Sequence, residues 1–291
     1  MTRFISSLLE IAADYDIAVL DQYGVLHDGR SPYAGAPACI QRLADSSKHI
    51  AILTNSGKRS DINRRRIERL GLKLPADAVV ESSGEVAWNG FRSAPAPLPG
   101  PPPYRLLPVC AERKDAEDWA AGNDRLRLVA RCDEADAVLL MGVPACGFTG
   151  AVREIFDNAL AASLPVICTN PDRTSPEGGE YTLSPGVMAD QYEYAGGRVI
   201  WYGKPHAQVF DAIRARFPDC APGRFLMVGD SMLHDISGAA AAGFKTCFIR
   251  SGIHAPAFAD TGTDTAIAEE IDRICYEADL ATPDYSMRNL A

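Results

Sequence analysis

The chain has 291 residues, 47% of them apolar, and a formal net charge of −9. That length exceeds one ordinary compact unit, so one large domain or two are expected. The acidic balance excludes the basic face that nonspecific nucleic-acid binding needs, and every apolar run is far too short to span a bilayer.

Residues 1–10 lack the long apolar core and small-residue cleavage site of a signal peptide. The expectation is a soluble, cytoplasmic protein without nucleic-acid or membrane partners. Eight cysteines are spread along the chain with no Cys-x-x-Cys pair. They read as small buried hydrophobes, not as a disulfide framework.

In chain order, residues 8–15 read as a short amphipathic helix before a first strand, residues 17–20. Four apolar residues there run straight into Asp21. A continuous apolar run of this length is what a strand buried on both faces looks like. In an open parallel sheet the carboxyl ends of the strands form the binding crevice. A carboxylate there is a candidate nucleophile or metal ligand, although aspartate also ends many strands as a turn residue. Breakers over residues 27–33 mark a loop. A helix over 36–47 and a second buried strand over 49–54 follow. Ser60 is read as the N-cap of a helix that runs to Leu70 and is closed by Gly71. Arg64, Arg65, Arg66 and Arg69 crowd that helix; a solvated face accounts for them better than a phosphate patch does. A short strand at 79–80 enters Glu81-Ser82-Ser83-Gly84.

Six prolines between residues 94 and 103 make a stiff surface loop. Strands at 105–109, 126–130 and 137–142 and a helix at 150–163 then give this block its own alternation, read as an inserted domain. A strand at 164–169 enters Asn170-Pro171-Asp172 and a loop rich in glycine and proline, with Gly178, Gly179, Pro185 and Gly186. A strand at 198–202 leads to Gly203-Lys204-Pro205-His206 and a helix over 207–217. The strand at 225–228 ends in Gly229-Asp230-Ser231. A small-residue helix over 235–242 and a strand over 244–249 complete the pattern.

If the strands are parallel neighbours, Asp21, Thr54, Lys204 and Asp230 converge at one edge of the sheet. A cap, a turn or a surface charge accounts for any one of them alone; their joint placement points to a site. Two carboxylates hold a hard cation such as Mg²⁺, which prefers oxygen ligands. The cation and Lys204 would neutralise a phosphate dianion that otherwise repels a carboxylate nucleophile. The Thr54 hydroxyl and the backbone N–H groups of Asn55 and Ser56 would cradle the phosphoryl oxygens. The aspartate then acts covalently, through an aspartyl-phosphate that water hydrolyses.

These stretches resemble, in order and at compatible spacing, the four motifs of the haloacid dehalogenase superfamily. Asp21-x-x-Gly24-Val25-Leu26 is similar to the first, Leu53-Thr54-Asn55-Ser56 to the second and Gly203-Lys204-Pro205 to the third. Gly229-Asp230-Ser231 with Asp235 is similar to the fourth. The long insert between the second and third motifs resembles the class IIA cap of p-nitrophenylphosphatase-like enzymes, and Thr169-Asn170-Pro171-Asp172 resembles the point of return. The resemblance implies an α/β protein: a Rossmann-like core with a parallel sheet (residues 1–82 and 171–291) and an α/β cap (residues 83–170) that contributes specificity and dimerises in many relatives. It implies Mg²⁺-dependent hydrolysis of a small phosphorylated metabolite. Asp21 would be nucleophile and metal ligand, with the backbone carbonyl of Tyr23 and the carboxylate of Asp230 as further ligands. Asp235 would hold a metal-bound water, and Thr54 and Lys204 would bind the phosphoryl group.

One position departs from the pattern. Phosphatases of this superfamily carry a second aspartate two residues after the nucleophile, where this chain has Tyr23. That aspartate protonates the leaving group and later activates water, an effect of roughly 10²–10⁴-fold. A phenol with a pKa of ~10 donates a proton but is a poor base at neutrality. Slowed turnover is therefore expected, with His27 and Asp28 as neighbours able to substitute. The 2-haloacid dehalogenases also have a tyrosine here, but they need no metal, lack the fourth-motif acid pair and insert their cap between the first and second motifs. About 28 residues separate Leu26 from Thr54, too few for that cap. A phosphate-ester hydrolase is the leading expectation, ahead of a carbon–halogen hydrolase or a non-catalytic phosphometabolite-binding protein.

Overall fold

The computed structural model describes residues 2–178 and 180–290. The chain opens with β1 (Arg3–Phe4), a 3-10 helix over Leu8–Asp14, β2 (Ile17–Leu20) and α1 (Ala36–Asp45). β3 (His49–Thr54), α2 (Ser60–Arg69), β4 (Val79–Ser82) and α3 (Ser83–Arg92) follow. The middle block holds β5 (Tyr104–Val109), α4 (Arg113–Ala120), β6 (Leu126–Leu128), β7 (Ala137–Leu140), α5 (Ala151–Ala161) and β8 (Val166–Cys168). Next come a hairpin of β9 (Thr174–Glu177) and β10 (Glu180–Leu183), α6 (Gly186–Tyr194) and β11 (Val199–Trp201). The last part has α7 (Ala207–Ala215), β12 (Phe225–Gly229), π-type turns over Met232–Ser237, α8 (Gly238–Ala241), β13 (Lys245–Ile249), α9 (Asp264–Glu277) and β14 (Tyr285–Met287).

The larger sheet has the order β1-β14-β13-β12-β2-β3-β4 and is parallel throughout. Its centre is β2 beside β12. From β2 the chain steps outward through β3 and β4; from β12 it steps the other way through β13 and β14. Such a switch point leaves a crevice outside the carboxyl ends of the two central strands. Alternate residues of β2 serve opposite cores, as the two-residue period of a strand requires. Ala18 and Leu20 pack with Leu8, Ile40 and Leu43; Ile17 and Val19 pack with Val209, Phe210 and Ile213 of α7.

The smaller sheet has the order β11-β8-β7-β5-β6, also parallel. α3 and α4 cover one face through Trp88, Phe91 and Trp119. α5 and α6 cover the other through Val152, Phe156, Met188 and Tyr192. Sheet membership here departs from the expected extents of the two units. β11 was expected with residues 171–291 of the core, yet it pairs in parallel with β8 as the edge of the smaller sheet. Asn170-Pro171-Asp172 does carry the chain to the central crevice, but α6 then returns it for one more helix–strand step.

α3 was not anticipated: the stretch after Glu81-Ser82-Ser83-Gly84 was assigned no element. Its N-cap is Ser82, whose hydroxyl accepts from Glu85 N at 3.1 Å. It lies between the two sheets: Val86 packs on the cluster under the larger sheet, and Trp119 donates its indole N–H to Gly84 O at 2.7 Å. Glu85 also explains why Ser60 is the first residue of α2 and not its cap. The N-cap Arg59 offers no side-chain bond of its own. Instead Glu85 accepts from Ser60 N (3.1 Å) and takes the Arg59 guanidinium at 2.6 and 2.9 Å. Among the described residues no helix is long and apolar enough to cross a membrane.

Glu85→Ala removes the cap of α2 and leaves a largely buried guanidinium without its carboxylate, held only against the Trp88 ring at 3.6 Å. The variant should lose about 1.5–3 kcal/mol, the range for hydrogen bonds to charged groups. The check is a lower urea midpoint with native circular dichroism; an unchanged midpoint would show that α2 does not depend on this contact.

Candidate active site

Asp21 is the residue after β2, and its N–H continues the pairing to Val228 O of β12 at 2.9 Å. Thr54 is the last residue of β3 and Asp230 the residue after β12. Three of the expected groups thus stand at the carboxyl edge of one sheet, astride its switch point. Lys204 does not come from that sheet. It reaches in from the loop after β11, so the site is completed across the two sheets and not by four parallel neighbours.

Asp21, Thr54, Asn55, Lys204, Asp230 and Asp235 are all buried. The Lys204 ammonium bonds the carboxylate of Asp21, Asp235 Oδ1 at 2.7 Å and Leu53 O at 3.1 Å, which uses all three of its donors. Carboxylate oxygens of Asp21, Asp230 and Asp235 lie within 4.8 Å of one another. Burial, together with repulsion from Asp235, pushes Asp21 up to about 7 against the pull of Lys204. Burial likewise raises Asp230 well above the ordinary carboxylate range, with Asp21 and Asp235 adding to it. Burial alone would lower Lys204, but the Asp21 and Asp235 charges outweigh it and hold the ammonium protonated. Three buried acids facing one lysine are short of positive charge, and an all-oxygen set of this kind suits a hard cation.

The remaining bonds of the acids fix where they point. Asp235 Oδ2 accepts from Ser231 N at 3.0 Å, and Asp230 Oδ2 accepts from Ile253 N at 2.7 Å. Two glycines leave room for Asp230. A Cβ on Gly24, whose φ is +87°, or on Gly252 would fall 2.0 Å from Asp230 Oδ2.

The other expected residues divide. Thr54 lines the central cavity of about 190 Å³ with Asp21, Tyr23 and Lys204. Its hydroxyl oxygen accepts from Ser56 N at 3.3 Å. Asn55 lines the same cavity, but its side chain is a clamp: it accepts from Lys204 N (2.7 Å) and donates to Lys204 O (3.2 Å) and Asp172 Oδ1 (2.8 Å). The amide is therefore committed to the protein, in contrast to a free substrate ligand. Ser56 is not among the residues lining the central cavity; it lines a neighbouring one.

Tyr23 lines both cavities. Its ring stands edge-on to His27 at 4.6 Å, and the Arg66 guanidinium lies 5.4 Å from its centroid. Burial pushes the phenol up, and Arg66 offsets this only in part. Neither expected substitute for the missing aspartate is placed to act. His27 is fully buried, and burial pushes it down to about 4. Its Nδ1 accepts from Gly29 N at 2.9 Å and its Nε2 lies 3.0 Å from the Gln22 amide. With Nδ1 accepting, Nε2 carries the proton, and the Gln22 amide meets it with its oxygen once the amide's nitrogen and oxygen are exchanged. Asp28 caps its own turn through Arg30 N (2.9 Å) and Ser31 N (2.7 Å).

Among the cavity residues not assigned to the site from sequence are His234 and Asp172. His234 Nδ1 lies 3.1 Å from Asp172 Oδ1. Burial pushes Asp172 up, but His234, Lys204 and the Asn55 amide together outweigh it and leave the carboxyl below its ordinary value. His234 sits between Asp230 and Asp235 in sequence, which was the one available signal. The hairpin of β9 and β10, read as a loop, roofs the cavity through Thr174, Ser175 and Pro176. It is tied down by Gly178 N to Asp28 O (3.2 Å) and by the Tyr181 hydroxyl to Gly252 O (3.1 Å).

Comparison with known proteins finds hydrolases of one kind. The haloacid dehalogenase-like hydrolase family matches residues 18–94, and the HAD-hydrolase-like family matches residues 201–274. A glycerol-3-phosphate phosphatase of Gallus gallus is 28% identical over 259 residues, covering 84% of this chain and 82% of its own length. The crystal structure of a haloacid dehalogenase-like hydrolase from Brucella suis 1330 has a TM-score of 0.78 and 26% identity, covering 99% of this chain and 100% of that one. A glycerol phosphate phosphatase of Mycobacterium tuberculosis in complex with magnesium shares the fold, with a TM-score of 0.68 at 24% identity over 96% of this chain and 76% of that one.

Asn55→Ala would leave the buried Lys204 N–H without its acceptor and would take from Asp172 Oδ1 one of its two contacts, leaving His234. We expect a loss of about 1–3 kcal/mol, the cost of unsatisfied buried polar groups, measured by urea denaturation. A loss under about 0.5 kcal/mol would mean the clamp is dispensable.

Proposed function

The chain belongs to the haloacid dehalogenase superfamily as a phosphatase-type hydrolase, and from that premise we propose that it hydrolyses small phosphate monoesters with Asp21 as nucleophile. The observation that carries this reading is the buried cluster of Asp21, Asp230 and Asp235 around Lys204, at the switch point of a parallel sheet. We assign Asp21, Asp230, Asp235 and the backbone carbonyl of Tyr23 to a Mg²⁺ ion. That cation supplies positive charge beside the nucleophile, so that a phosphate dianion can approach a carboxylate.

The protein's own groups do the rest. The Thr54 hydroxyl and the backbone N–H of Asn55 orient the phosphoryl oxygens, and Lys204 balances their charge; Ser56, expected to join them, gives its N–H to Thr54 and faces the neighbouring cavity. A carboxylate oxygen of Asp21 attacks phosphorus, the bond to the leaving oxygen breaks, and an aspartyl-phosphate forms. Water then attacks phosphorus, releasing phosphate and restoring the carboxylate. Tyr23 is the group that can offer a proton to the leaving oxygen. Its raised pKa makes it a weak donor and no base, so turnover is slow.

The smaller sheet and its helices, residues 83 to 202 once β11 is included, form the unit that selects the substrate, with the hairpin of β9 and β10 as roof. Only α1 lies as a helix between β2 and β3, where a 2-haloacid dehalogenase would insert its cap. Carbon–halogen hydrolysis therefore has no support from the architecture.

Two measurements test the reading. Turnover of p-nitrophenyl phosphate should require Mg²⁺, vanish with a chelator and fall at least ~10³-fold in Asp21→Asn, as loss of a nucleophile demands. Residual turnover indifferent to both treatments would sink the assignment. Tyr23→Asp should raise kcat by roughly 10²–10⁴ if the absent general acid limits the rate. No change would show that another group already protonates the leaving oxygen.

A further inference from the structure

The second cavity holds arginines that hydrolysis of a simple monoester does not use. It has a volume of about 180 Å³, and its polar lining is Tyr23, Ser56, Lys58, Asn63, Arg66 and Arg69 with Asn170; among the described residues no carboxylate lines it. The four arginines of α2 divide between two tasks. Arg64 and Arg65 pair along the helix with Glu68 (3.5 Å) and Asp61 (2.6 Å). Arg66 and Arg69 are the two that line the cavity, and neither has a carboxylate within ion-pair distance among the described residues. Lys58 is neutralised by Asp115 at 2.8 Å.

We propose that this cavity takes a second oxyanion of the substrate, so that the preferred substrates are short phosphate monoesters carrying a carboxylate or a second phosphate. The proposal rests on the phosphatase reading and narrows its substrate class. The Arg66 guanidinium has five N–H donors and gives one nitrogen to Gly29 O at 3.0 Å. Arg69 gives its Nε to Arg65 O at 3.3 Å. The donors left over form the planar fork that matches carboxylate and phosphate oxygens. In a chain of net charge −9, two unpaired guanidiniums on one concave surface set up a local field that favours an anion. Tyr23 is the wall common to the two cavities. A ligand with its phosphoryl group at Asp21 reaches the second cavity by passing the Tyr23 ring. The residue that replaces the family's second aspartate thus also separates the two anion positions. An aspartate there would put a negative charge at the edge of this cavity; a neutral phenol does not.

The test uses the full chain with Mg²⁺. Specificity constants, kcat/KM, are measured on two doubly anionic esters, 3-phosphoglycerate and fructose 1,6-bisphosphate, and on two simple ones, p-nitrophenyl phosphate and glycerol 3-phosphate. Wild type is compared with the double variant Arg66→Ala, Arg69→Ala. The expected result is that the double substitution lowers kcat/KM for the first pair at least ten times more than for the second. Equal losses on all the esters overturn the proposal. A second arm needs no turnover: calorimetric binding of 3-phosphoglycerate to Asp21→Asn should weaken by tenfold or more when the two arginine substitutions are added. If no ester is hydrolysed, the phosphatase reading fails and this arm alone decides. No binding, or binding indifferent to the two arginines, then overturns the second anion site. Circular dichroism and the urea midpoint confirm that each variant is folded.

Discussion

The ammonium of Lys204 lies against the carboxylates of Asp21 and Asp235 where all three are buried. Buried charge is tolerated when it is paired and hydrogen-bonded, and is very costly when one partner is taken away. Much of the surrounding structure supplies that pairing. Asn55 grips the Lys204 backbone on both sides. Backbone N–H groups of Ser231 and Ile253 fix the carboxylates of Asp235 and Asp230. The excess of acid over base that remains makes the crevice suited to a hard cation.

The sheet order sets where such a cluster can exist. β2 and β12 are the pair from which the chain departs in opposite directions, so no helix crosses over their carboxyl ends and two aspartates can stand side by side there. The same closeness makes the position intolerant. Gly24 and Gly252 both approach Asp230 so nearly that one added carbon at either would displace its carboxylate. The glycine after Tyr23 is thus as much a part of the acid cluster as the acids themselves.

Much of this was legible in the sequence, for a definite reason. β2, β3 and β12 are buried on both faces, so they appear as unbroken apolar runs, and Asp21, Thr54 and Asp230 stand where those runs stop. Lys204 was identified for the same reason, but its sheet was not. A strand of three residues gives no clue to its neighbours, and β11 pairs with β8 only because α6 brings it back. α3 was missed because its cap, Ser82, lies inside a run that reads as a turn. Its partner Glu85 shows its value only once Arg59 and Ser60 are in place. His234 and Asp172 lie 62 positions apart, and no local pattern announces a pair of that kind. The arginines of α2 looked alike as letters. Which of them face a carboxylate and which face a cavity is a property of packing.

Lys204 stands three residues beyond the edge strand of the smaller sheet. The unit built on the smaller sheet therefore cannot be exchanged as a cassette cut at the motif glycine. Replacing residues 83–203 by the corresponding segment of a relative also replaces β11, whose register against β8 decides how far the following loop extends toward Asp21. A shift of one residue there moves the lysine by about 3.3 Å, enough to break every bond its ammonium makes. Recombination between such proteins, natural or engineered, would have to preserve the length of the β11 loop as strictly as it preserves Asp21.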